Sequence, residues 1–185
     1  MPEADARTRA AFDEFRRGAP LKPLSPERVR HSDECIQITQ GDGLEVLRDG
    51  PVVAGEPPPS IAPPLIDDAR TEDIRLWVVR ERDVPFAPER CGFARNATGL
   101  VQNKIKHSNL TGGASAHCGG EILFLDEQTF VITGRSGRYG PKSSEEMESV
   151  SKAFRGSGYH VLSMGWDPGT EQPTPFIGAL PKWVC

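Results

Sequence analysis

The chain alternates between long polar, breaker-rich stretches and short apolar runs, and most of the apolar runs fall after residue 73. IRLWVV (74–79) is β-branched and aromatic, as a buried strand requires. EILFLD (121–126) and TFVITG (129–134) are two further apolar runs separated by Glu127-Gln128, a spacing that predicts an antiparallel hairpin. SSEEMESVSKAFRGSG (143–158) opens on serine and glutamates, carries Met147, Val150 and Phe154 at helical spacing and stops at glycine, so it reads as the best-defined helix. YHVLSMGW (159–166) predicts another strand, and a proline-rich tail with apolar anchors follows.

The N-terminal third is harder to place. Residues 3–17 scatter Phe12 and Phe15 among charges and end on Arg16-Arg17 before Gly18, which predicts a short peripheral helix. Ser25 followed by Pro26 suggests a second brief helix, and the GDG at 41–43 suggests a small hairpin between Ile36–Ile38 and Leu44–Leu47. PVVAGEPPPSIAPPL then packs six prolines into 15 residues, which excludes regular helix or sheet and reads as a linker or strap. PFAPERCGFARNATG (85–99) reads as a long loop bordering a site. These elements predict an α+β fold: a small mixed or antiparallel sheet with a hairpin and one packed helix, with residues 1–70 as a loosely structured, peripheral N-terminal third and 71–185 as the compact domain.

Composition qualifies this picture. The 185 residues include 19 Gly and 17 Pro with only 37% hydrophobic residues, so the core must come from few segments. A net charge of −4 provides no global attraction to nucleic acid, which argues against such a partner. The basic residues Lys104, Lys106, Arg135, Arg138 and Lys142 nevertheless lie in two stretches, 100–120 and 129–142, that contain no acid. Cys35, Cys91, Cys118 and Cys185 form no CxxC pair; adjacent His117 and Cys118 would point to opposite faces of a strand, so no metal site is expected. The charged N-terminus and the lack of an apolar span predict a cytoplasmic protein with no membrane association.

Chemistry concentrates in KHSNLTGGASAHCGGE (106–121) and RSGRYGP (135–141). In the first, His107 and Glu121 are acid–base candidates, and Lys106, Asn109 and Thr111 are hydrogen-bonding groups beside Gly-Gly pairs that would let a ligand approach; the same residues also suit a tight turn. In the second, Arg135, Ser136, Arg138 and Tyr139 precede the helix and suit a phosphate or carboxylate at its positive end, although a capping loop with solvated arginines explains them equally. The hairpin would return this loop to the start of the Glu121 strand. Trp166 in GWDPG is a candidate stacking surface.

Together, KHSNLTGGASAHCGGE and ITGRSGRYGP resemble a pattern in uncharacterised bacterial domains, some at the C-termini of polymorphic toxins, where a His-Ser start, a Gly-Glu pair and a Ser-Gly-His-Tyr loop recur. Arg138 stands where that pattern has histidine. The resemblance implies that His107, Glu121, Ser136 and Tyr139 act as one constellation and implies no particular reaction. The expected function is a small enzyme acting on a nucleotide or other anionic substrate, with His107, Glu121 and Tyr139 catalytic. The reaction would be a group transfer of ADP-ribosyltransferase type, with NAD as cosubstrate, although no ExE or QxE motif is present. The alternatives are an endoribonuclease-like toxin domain and a non-catalytic module that binds a protein partner through its proline-rich segments.

Overall fold

The computed structural model describes residues 5–185 and shows an α+β fold built on one mixed sheet. Its helices are α1 (Ala6–Gly18), α2 (Gly92–Asn96) and α3 (Ser144–Gly156). Its strands are β1 (Glu45–Val46), β2 (Arg75–Val79), β3 (Pro85–Pro88), β4 (Cys118–Phe124), β5 (Thr129–Thr133), β6 (His160–Ser163), β7 (Trp166–Asp167), β8 (Gln172–Pro173) and β9 (Lys182–Trp183). Seven strands form the main sheet in the order β1-β3-β2-β4-β5-β6-β9, and β7 pairs only with β8. All neighbours in the sheet are antiparallel except β5 and β6, which α3 connects in parallel. No helix among the described residues is long and apolar enough to cross a membrane.

One face of the sheet carries α1 and α3. Trp77, Ile122, Phe130, Ile132 and Val161 pack there against Phe12, Phe15, Met147, Val150 and Phe154. Phe154 is the hub: its ring meets Trp77 at 4.9 Å, Phe12 at 5.1 Å and Phe130 at 5.7 Å, each edge to face, the arrangement that the ring quadrupoles favour. The N-terminal third is sparse in regular structure, but it is not peripheral. Phe12 is fully buried, and Leu47, Val52 and Ile66 are buried as well, so the expected boundary near residue 70 does not separate two cores. The start of α1 is held from outside the helix. Asp49 Oδ1 accepts from Thr8 N at 2.7 Å and Oδ2 from Arg7 N at 3.2 Å, supplying the capping carboxylate that α1 lacks locally.

The other face has no long helix. Short turns and loops cover Leu76 and Val78, while Ile66 and Phe176 cover Leu123, Val131 and Leu162. No helix or strand lies between Leu47 and Ala69.

Three local expectations are corrected. Ser25-Pro26 opens only a single 3-10 turn, Pro26–Arg28. The GDG segment forms a 3-10 turn, and Glu45–Val46 pairs with Phe86 and Pro85 rather than with residues 36–38. The loop expected over 85–99 contains both β3 and α2. Pro85 and Pro88 sit at the two ends of β3, where a missing amide interrupts least pairing, while Phe86 and Ala87 face opposite cores.

Candidate functional site

Antiparallel pairing aligns Leu76, Glu121 and Thr133 across β2, β4 and β5, all on the face opposite α1 and α3. Directly opposed residues share a face, so Glu121 projects from the centre of the sheet into the loop layer. The chain leaves β5 at Gly134, and Arg135 to Lys142 return beside Glu121 as the hairpin predicts. A polar cleft of about 650 Å³ opens there. Its walls include Lys106, His107, Glu121, Arg135, Ser136, Arg138 and Trp166.

The strand carrying Glu121 starts earlier than its apolar run suggests, because Gly119 and Gly120 lie within it. A Cβ on Gly120 would stand 2.1 Å from Thr133 O and 2.6 Å from Trp77 Cζ2. This glycine accommodates the Trp77 indole on the opposite strand, not a ligand, and Trp77 Nε1 donates to Glu121 O at 3.0 Å. The other pair, Gly112 and Gly113, has φ of 63° and 86° and serves a turn.

The Glu121 carboxylate makes no hydrogen bond or ion pair among the described residues. Burial, and secondarily the negative charge of Glu89, raise its pKa from 4.5 to about 7, while Arg135 and Lys104 oppose the shift. His107 is buried, and its Nε2 lies 2.8 Å from Gly120 O. A carbonyl only accepts, so Nε2 carries the proton and Nδ1 the lone pair. Burial, then the charges of Arg138 and Lys106, lower its pKa to about 4 despite the Gly120 bond, and the ring is neutral at physiological pH.

Arg138 is already engaged. Its Nη2 donates to Arg28 O at 2.8 Å and to Glu34 Oε2 at 3.0 Å, and Glu34 is only 2% exposed. The guanidinium therefore binds the N-terminal segment, and Arg28 becomes part of the cleft wall. Ser136 Oγ accepts from Arg138 N at 3.3 Å and Tyr139 N at 3.1 Å, which shapes the loop.

Three candidates fall outside the cleft and are corrected. Tyr139 is fully buried, its hydroxyl lying 3.0 Å from Thr111 Oγ1 and donating to Ala114 O at 2.7 Å; it is a core residue, not a catalytic or stacking group. Thr111 is its buried partner. Asn109 donates to Asp33 O at 2.7 Å and Ile36 O at 2.8 Å and accepts from Lys106 N at 2.8 Å, so its amide binds backbone. The start of α3 is also occupied. Ser143 Oγ accepts from Glu146 N at 3.1 Å, and the Glu146 carboxylate accepts from Lys142 N and pairs with buried Lys22. The cleft thus offers an anion side-chain cations rather than a free helix end.

Sequence reasoning missed Arg28, Glu89, Glu171 and Gln172 as cleft residues. Glu89 is ion-paired with Lys104 at 3.5 Å, and Gln172 Oε1 accepts from Arg135 Nη1 at 3.3 Å. Arg28 and Lys142 make no side-chain hydrogen bond or ion pair among the described residues. No family model, curated protein or solved structure matches the chain.

Proposed function

We propose that the cleft is the active site of a small transferase or hydrolase acting on a phosphate-bearing substrate, with Glu121 as the proton-transfer group. The observation that carries this reading is the unpaired Glu121 carboxyl, whose pKa of about 7 matches the poise of a general acid or base at neutral pH. Arg28, Lys106, Arg135 and Lys142 line the same cleft and concentrate positive charge in a protein of net charge −4, which favours a compact anion. Arg138 positions the N-terminal wall. His107 supports the floor through Gly120 and offers Nδ1 as an acceptor.

The endoribonuclease version needs His107 as a general acid, and a ring with a pKa near 4 whose Nε2 proton is held by Gly120 does not suit that role. ADP-ribosyl transfer from NAD is one form of the group-transfer reading, and the cytoplasm, where the substrate would be a nucleotide, is the compartment it implies.

Calorimetric titration with diphosphate and ADP at low ionic strength tests the reading. Binding by the native chain, weakened at least about tenfold by Arg135→Glu or Lys142→Glu, is expected for a cation-rimmed anion site. Turnover of any phosphate ester should disappear in Glu121→Gln. If neither ligand binds at millimolar concentration, the anion-site reading fails; if binding survives in Glu121→Gln and the native chain turns over neither a phosphate ester nor NAD, the cleft is a binding module.

A further inference from the structure

Trp166 is a wall shared by two recesses. On one side it lines the polar cleft; on the other it lines a recess of about 470 Å³ between the first half of α3, the end of β6 and β9. Trp183 and Val184, both half-buried, give that second recess its accessible apolar lining, and Glu148 and Lys152, an exposed ion pair at 2.8 Å, stand at its helical side. Trp183 is fixed by donation from Nε1 to Ile61 O at 3.1 Å. The Trp166 indole N–H has no partner among the described residues, and the residue is only half-buried.

Within the cleft, Leu76 and Ile105 are 2% and 1% exposed, so its accessible apolar surface is the edge made by Trp166 and Pro173. A ligand anchored by its anion among the cations therefore finds its accessible non-polar contact at the indole, the one residue that the cleft and the second recess share. Both volumes fall within the range of small-molecule sites.

We infer that the substrate has two parts, a phosphate group held in the cleft and an aromatic group lying across Trp166 into the neighbouring apolar recess. The inference rests on the reading of the cleft as an anion site and adds the chemistry of the remainder of the substrate. Stacking on one indole with burial of a fused ring supports about a tenfold gain in affinity.

The test compares inorganic phosphate with naphthyl phosphate by calorimetry on the full chain. The native protein should bind naphthyl phosphate at least about tenfold more tightly, and Trp166→Ala should remove most of that advantage. Glu148→Trp, at an exposed helix position outside the cleft, should fill the recess and do the same, with inorganic phosphate affinity in this variant within about twofold of native. Equal affinity for the two ligands in the native chain overturns the two-part substrate while leaving the anion site standing. A naphthyl advantage that survives both substitutions also overturns it, because the ring then lies elsewhere. If neither ligand binds, the anion site and the two-part substrate fall together.

Discussion

Glu34 and Arg138, 104 positions apart, form an ion pair at 3.0 Å in which the acid is 2% and the arginine side chain 11% exposed. The bond joins the N-terminal segment to the loop that follows β5, and through Arg28 O the same guanidinium fixes the adjoining backbone. Removing either partner leaves the other charge buried without a counter-charge, held only by a backbone group, Arg30 N for Glu34 and Arg28 O for Arg138. Glu34→Ala and Arg138→Ala are each expected to lower stability by about 3 kcal/mol in urea titrations, and the double variant by clearly less than the sum. Additive losses would show that the pair is not coupled.

Glu121 should make stability fall as pH rises. Its folded pKa, about 7, lies above the ordinary carboxyl value of 4.5, so between these values the folded state keeps a proton that the unfolded chain has released. Its contribution is full below pH 4.5 and lost as pH rises through about 7. Glu121→Gln should remove this dependence and gain on the order of 2 kcal/mol relative to native between pH 5 and pH 8. Denaturant midpoints at the two pH values provide the check; parallel behaviour of native and variant would contradict it.

His107 has the opposite sign. Its folded pKa of about 4 is below the ordinary imidazole value of 6.5, so its contribution is present above 6.5 and lost as pH falls toward 4. Carbon-detected NMR should show a neutral ring, protonated on Nε2, across the physiological range. A titration midpoint near 6.5 would mean that the ring is solvated rather than enclosed.

Gly120→Ala should be among the most damaging single substitutions. The added carbon would meet the Thr133 carbonyl and the Trp77 indole, and neither is a flexible chain end. A loss of about 3 kcal/mol or more, with altered tryptophan fluorescence, is expected. Ala in place of Gly55, where nothing lies within 4 Å of the added Cβ but φ is +82°, controls for backbone strain alone.

The parts of the fold that could be read from sequence were those with local signals. The β4–β5 hairpin announced itself through two apolar runs and a short turn, and α3 through its serine cap and its spacing of Met147, Val150 and Phe154. From that hairpin the meeting of Glu121 with Arg135 and Ser136 also followed. Contacts between distant loops leave no such trace, which is why Glu34 was invisible as the partner of Arg138 and Arg28 as part of the cleft wall. Tyr139 misled for a related reason: it sits in a polar, glycine-rich loop, and only its distant partners Thr111 and Ala114 explain why it is buried. In α1, two phenylalanines among charges seemed too few for a core helix, yet Phe12 completes the aromatic cluster around Phe154.

The two outermost strands, β1 and β9, are each two residues long. Long open rims recruit extended segments from other chains by backbone pairing, and stubs this short present almost no ladder to copy. The sheet is thereby protected against end-on polymerisation, and a peptide cannot dock by continuing it.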